Sequence, residues 1–165
     1  MMRGVVFALN TLCALAILTM PVEAQLRFGG NVATVSGFDR ASDLNGTFGV
    51  GGRLGIELPV FPVGLYGSIT HYFPDGAEVR YWTASVFGKL GLPIPVVSLY
   101  GISGIQRRAR TLSGVTDSGN GFFVGLGLEV GALFLEGAAG FNADNPALSD
   151  LDNDPLTFKG GFIIG

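Results

Sequence analysis

The stretch that decides the fold reads Phe48-Gly49-Val50-Gly51-Gly52-Arg53-Leu54-Gly55-Ile56-Glu57-Leu58. Every second residue is apolar apart from Gly52, and glycine, arginine or glutamate fills the positions between. Successive side chains of a β-strand point to opposite sides, so an apolar residue at every second position indicates a strand. The stretch predicts a strand with one apolar face and one face that carries charge and little bulk.

The same alternation recurs along the chain, most clearly over 122–131 and 156–164. Most of the alternating segments are close to the roughly 9–11 residues that a tilted strand needs to cross a bilayer. The pattern predicts eight strands, at about 26–36, 47–58, 63–73, 79–92, 97–110, 120–131, 133–143 and 156–164.

The connections between these strands alternate in length. Those at 59–62, 93–96 and 131–133 are tight, while those near 37–46, 74–78, 111–119 and 144–155 are mostly longer and more polar. Short turns at one end and long loops at the other are typical of outer-membrane barrels. We therefore predict an all-β fold, an eight-stranded antiparallel up-and-down transmembrane β-barrel.

The first 24 residues differ from the rest and predict a secretory signal peptide. Arg3 supplies a positive start, 5–20 is mostly apolar, and Val22-Glu23-Ala24 provides a cleavage site. We expect a signal peptide over 1–24 and one barrel domain over 25–165. The single cysteine, Cys13, lies in the signal peptide, so the mature chain is expected to have no disulfide and no thiolate metal site.

Composition narrows the possible functions further. Charged residues make up 14% and hydrophobic residues 48% of the chain, which is too apolar for a disordered protein. The formal net charge of −3 gives no reason to expect nucleic acid as a partner.

Aromatic residues on the apolar parity cluster next to the long loops. Membrane barrels carry such rings as a girdle at the level of the lipid headgroups. The predicted girdle consists of Phe48, Phe73, Trp82, Phe122, Phe141 and Phe158.

The opposite parity carries charges of both signs, and we expect them to pair inside the barrel. An eight-stranded barrel is just wide enough for side chains to fill it, and an unpaired charge in such a space is costly. The predicted interior network is Arg53, Glu57, Lys89, Glu129, Glu136 and Lys159, with Arg27 a possible addition. The orientation of strand five is ambiguous, because Leu99 has one parity while Tyr100 and Ile102 have the other.

The sequence shows no catalytic, cofactor or metal site, so we predict that the protein is not an enzyme. His71 shares the outward parity near a long loop and has no serine nucleophile beside it. Asp150, Asp152 and Asp154 offer oxygen ligands for a cation, but a solvated loop explains them as well. Arg107, Arg108 and Arg110 are expected either to hold lipopolysaccharide phosphates or to pair with that acidic loop.

A signal peptide, eight alternating strands, short turns and the closing stretch Lys159-Gly160-Gly161-Phe162-Ile163-Ile164-Gly165 resemble the small outer-membrane β-barrel family, the OmpA- and OmpX-like group. The likeness covers 25–165 and is one of pattern. It implies an outer-membrane location, outer-membrane lipid and lipopolysaccharide as partners, and the barrel-assembly machinery during biogenesis.

Three functions are compatible with these observations. The first is a structural or interaction role in the cell envelope, with the interior plugged by its polar and charged network. The second is a narrow pore for water or small ions. The third is a soluble periplasmic barrel of lipocalin type, which would need its apolar residues to face inward.

Overall fold

The computed structural model describes residues 24–37, 44–58, 62–74, 79–94, 96–142 and 155–165. The predicted signal peptide, but for Ala24, and the acidic residues of the fourth loop lie outside these ranges. The described part contains no helix with the length and hydrophobicity that crossing a membrane requires. Eight strands are present: β1 Gln25–Ser36, β2 Thr47–Leu58, β3 Val63–Phe73, β4 Val79–Ile94, β5 Val97–Leu112, β6 Val115–Val130, β7 Leu133–Asn142 and β8 Leu156–Ile164.

The strands form a closed antiparallel barrel in which each strand pairs with its neighbours in sequence and β8 pairs with β1. A path along paired residues that starts at Leu26 returns to β1 at Ser36, ten residues further along the strand. Strands with such a stagger tilt by roughly 40° from the barrel axis. The predicted fold class, an eight-stranded up-and-down barrel, is confirmed.

The outer face of the barrel is apolar on all eight strands. Leu26, Leu54, Leu65 and Leu126 are each more than half exposed, and large exposed hydrophobic side chains occur on every strand. The alternate positions point inward and hold the buried polar and charged side chains. A soluble protein rarely exposes so much contiguous apolar surface. This polarity is opposite to the one that the lipocalin-like alternative needs.

The third connection differs from the prediction. Residues 111–119 were expected to form a loop, but β5 and β6 continue through them and are joined by Ser113 and Gly114 alone. Both residues have positive φ, 48° and 84°, as a two-residue type I′ hairpin requires. The polar composition of this segment suggested a loop, whereas cross-strand pairs such as Thr111 with Thr116, whose hydroxyls lie 2.9 Å apart, extend the ladder.

Glycines on the inner face make room for aromatic rings. A Cβ at Gly55 would lie 2.2 Å from the Tyr66 ring, and one at Gly127 would lie 2.4 Å from the Tyr100 ring. Gly52, on the outer face of β2, is different, because a Cβ there would meet no atom closer than 3.7 Å. The inner glycines are therefore a packing requirement of the filled barrel.

Candidate functional site

The barrel interior holds two groups of ionic side chains. In the first, near the tight turns, Lys89 Nζ lies 2.7 Å from Glu57 and 2.6 Å from Glu129. Arg27 lies 2.6 Å from Glu129 and 3.7 Å from Glu57. Two cations and two carboxylates thus alternate in a closed ring. They come from β1, β2, β4 and β6, so the ring spans the inside of the barrel.

In the second group, Arg53 and Glu136 form a two-pronged ion pair. Arg53 Nη1 and Nη2 donate to the two carboxylate oxygens of Glu136 at 2.7 and 2.6 Å. Both side chains are only 4% exposed. Planar, paired hydrogen bonds of this kind are among the strongest that a protein makes. Since β2 and β7 are not neighbours in the barrel, the pair crosses the lumen.

Tyrosine hydroxyls and aromatic rings complete the surroundings of these charges. The Tyr66 hydroxyl donates to Glu57, and the Tyr100 hydroxyl donates to Glu136 at 3.0 Å. The Arg53 guanidinium lies 3.8 Å from the centre of the Phe134 ring, which stabilises the buried cation through the ring's negative face. Lys89 lies 4.6 Å from the centre of the Tyr100 ring.

Lys159 lies beside the second group. It is paired with Glu136 in the β7–β8 register and faces the interior. Above it, a cavity of about 30 Å³ is lined by polar groups that include Ser85, Gln106 and Thr157. That space holds about two or three water molecules, since each needs roughly 10–15 Å³. The side chains around this cavity therefore leave little free space between them.

An apolar cluster lies at the loop end of the interior. Leu44, from the connection between β1 and β2, is fully buried there against residues of β1, β3 and β4. Tyr72 and Tyr81, whose ring centres lie 5.1 Å apart, belong to the same cluster. Arg108 is 2% exposed and also lines the polar cavity.

The structure brings five of the six predicted network residues into ion pairs: Arg53, Glu57, Lys89, Glu129 and Glu136. Lys159 stands across from Glu136, and Arg27, expected only as a possible member, makes two of the contacts. The hydrogen-bonding parity of β3 predicts Tyr66 inside the barrel, whereas sequence reasoning missed Tyr100 and Phe134. Phe134 has the same inward parity as Glu136, and this parity was the signal that could have placed Phe134 in the interior.

The six predicted girdle residues all face outward near the loop end. Phe48 is paired with Phe73, and Phe122 stacks on Phe141 with ring centres 5.0 Å apart. Trp82 is paired with His71. Phe48 and Phe158 both lie across from Thr34. His71 is exposed and contacts Phe73 edge-on at 5.1 Å, so it lies among rings on the outer surface.

The three arginines of β5 do not lie on one face of the strand. Arg108 and Arg110 have the inward parity, whereas Arg107 is exposed on the outward face and donates to Ser118 Oγ at 3.2 Å. The alternation of the strand, which the sequence predicts over 97–110, separates them. Within the described ranges, no group of three His, Cys, Asp or Glu side chains is placed to hold a metal ion.

No protein family model matches the chain, and no curated protein matches it. Solved structures do. The N-terminal β-barrel domain of OprF from Pseudomonas aeruginosa aligns with a TM-score of 0.55 at 13% identity, over 86% of this chain and 100% of that one. Neisserial surface protein A aligns with a TM-score of 0.62 at 12% identity, over 86% and 97%. The chain therefore has the fold of the small eight-stranded outer-membrane β-barrels, the family that its sequence resembles.

Proposed function

We propose that the protein is an outer-membrane barrel with a structural or interaction role in the cell envelope, and that its interior is closed. The outward apolar face supports a location in the membrane, because such a surface is stable only against lipid. In this proposal the signal peptide directs export, the barrel-assembly machinery inserts the chain, and outer-membrane lipid and lipopolysaccharide surround it.

The observation that carries the closed interior is the crossing of the lumen by ion pairs. Arg53 with Glu136 forms one crossing, and the ring of Arg27, Glu57, Lys89 and Glu129 forms a second nearer the tight turns. An ion that passed would have to break such pairs in a medium of low dielectric constant, where opposite charges attract strongly. We infer that the barrel does not conduct, and that it acts through its surfaces and has no catalytic role.

The experiment uses the mature chain refolded in detergent. Migration is compared on a gel without and with boiling, and the protein is then reconstituted in a planar bilayer. The proposal expects a faster band without boiling and no conductance above the leak of the lipid. Steps of reproducible conductance would instead support the narrow pore. A chain that folds and stays soluble without detergent or lipid would overturn the membrane location.

A matched pair of variants tests the role of the crossing. Replacing both Arg53 and Glu136 by alanine removes the crossing that this pair forms, so measurable conductance is expected if the pair closes the lumen. Replacing Leu54 by alanine, on the outward face of the same strand, is the control and should leave the bilayer current at the leak level.

A further inference from the structure

The charged residues of the described strands are distributed unequally between the two faces. The carboxylates and most of the cations have the inward parity. Only two arginines, Arg80 on β4 and Arg107 on β5, lie on the outward face of these strands, and both are exposed. The outward face thus carries charge of one sign, on two neighbouring strands.

These two arginines flank Trp82, the single tryptophan of the chain. Arg80 precedes Trp82 by two residues on the same face, and Arg107 is paired with Ala84, two residues after it. Ala109, paired with Trp82, is only 2% exposed although its position faces outward. Neighbouring side chains therefore cover it, and Arg80, Trp82 and Arg107 form a patch of adjacent positions on this face.

The patch lies at the loop end of the outer face. Arg80 is the second residue of β4, and His71, paired with Trp82, is two residues before the end of β3. An arginine on the lipid face costs about 2–4 kcal/mol at the bilayer midplane but roughly 0–1 kcal/mol near its surface. Tryptophan rings also favour that surface. The composition of the patch therefore suits the headgroup level.

Carboxylates in the described part of the chain do not account for the two charges. Arg107 donates to Ser118 Oγ at 3.2 Å. No carboxylate within the described ranges lies within 4.0 Å of either guanidinium. The headgroup region supplies the complementary charge, since its anionic groups are phosphates, and a guanidinium binds a phosphate through two parallel hydrogen bonds.

We propose that Arg80, Trp82 and Arg107 form a binding site for the phosphate of a membrane-lipid headgroup on the outward face of β4 and β5. This inference rests on the proposed membrane location. Two kinds of lipid could supply this phosphate. Lipid A carries it as a phosphomonoester, and a phospholipid carries it as a phosphodiester.

The test follows Trp82 emission while lipid is added to the barrel refolded in a maltoside detergent, which has no phosphate. The probes are diphosphoryl lipid A, the same lipid with its phosphates removed, and phosphatidylglycerol. Binding of either phosphorylated lipid, at least about tenfold tighter than that of dephosphorylated lipid A, is expected from the strength of charge-assisted hydrogen bonds. The arm that binds more tightly identifies the source of the phosphate.

The variants are Arg80→Gln, Arg107→Gln and the two together, with Arg80→Lys/Arg107→Lys to keep the charge. Arg110→Gln is the matched control, because it removes the same charge from the inward parity of β5. The double glutamine variant should lose about tenfold or more in affinity, with the single variants between, the lysine variant less affected and Arg110→Gln close to wild type.

The proposed site would be overturned if dephosphorylated lipid A bound as tightly as the phosphorylated lipids. It would also be overturned if Arg110→Gln lost as much affinity as the double glutamine variant. Each variant is first checked for its faster-migrating unboiled band, and the single variants carry the test if the double variant does not fold. If every variant folds in detergent and binds as wild type does, the site is wrong while the membrane barrel stands. If the wild-type chain folds without detergent, both proposals fail.

Discussion

Arg53 and Glu136 lie 83 residues apart in the chain and meet inside the barrel through two hydrogen bonds of 2.7 and 2.6 Å. Their strands share no ladder, so nothing in the local backbone brings them together. Closure of the barrel alone places the guanidinium against the carboxylate. The pair therefore reports on the integrity of the whole barrel.

Removing one partner of this pair should be costly. Glu136→Gln leaves the Arg53 guanidinium buried without its carboxylate, and breaking a buried pair in this way typically costs 3–5 kcal/mol. Urea unfolding of the reconstituted protein measures the loss. The control is Arg53→Met/Glu136→Leu, which removes both charges of the pair and should recover part of the stability, since Lys159 then lies without the nearby Glu136 carboxylate. A loss below about 1 kcal/mol in Glu136→Gln would show that the pair is solvated.

Inner and outer glycines should respond differently to a methyl group. Gly55→Ala places its Cβ 2.2 Å from the Tyr66 ring, so the ring must move, and we expect a loss of about 1–3 kcal/mol. Gly52→Ala, three residues earlier on the outer face, is the matched control. It should be neutral or stabilising by up to about 1 kcal/mol, because it reduces the freedom of the unfolded chain. Equal urea midpoints for the two variants would contradict the filled interior.

Val96, in the turn between β4 and β5, has a φ of 76°. A β-branched side chain is strained in this region by about 1–2 kcal/mol. We expect Val96→Gly to raise the free energy of unfolding by about 1 kcal/mol, after allowing for the entropy that glycine adds to the unfolded chain. Val97→Gly, in the adjoining strand, is the control and should destabilise. A lower urea midpoint in Val96→Gly would argue against the strain.

Trp82 should lie at the headgroup level if the outward aromatic residues form a girdle. As the chain has one tryptophan, its emission reports one depth. Lipids brominated near the headgroup should quench it more strongly than lipids brominated near the end of the acyl chain. The variant Trp82→Phe/Leu126→Trp moves the reporter to the apolar face of β6 and should reverse the order. Stronger quenching of Trp82 by the deep bromines would disprove the girdle.

Alternation in the sequence was enough to predict the number of strands, their approximate bounds and the face on which Arg53 and Glu57 lie. It failed at 111–119, where a hairpin with a two-residue turn carries as many polar residues as a loop does. It left Tyr100 unassigned, because Leu99 and Tyr100 are both compatible with an apolar face.

The parity of a residue predicts the side of the barrel on which it lies, but not the residue with which it forms an ion pair. Which cation contacts which carboxylate depends on the stagger of the barrel. This stagger accumulates through eight strand registers, and no single strand carries a sequence signal for it. The pairing of Arg27 with Glu129 could therefore not be predicted. The same holds for the contact between Arg53 and Phe134.

The origin of the interior charges also constrains the order of assembly. Arg53 comes from β2, whereas its carboxylate partner Glu136 comes from β7. A half-inserted sheet would present this arginine to hydrocarbon without its counter-charge, at a cost of several kcal/mol. In the proposed membrane location, strand-by-strand entry is thus unfavourable, and we expect the chain to close into a barrel as it inserts.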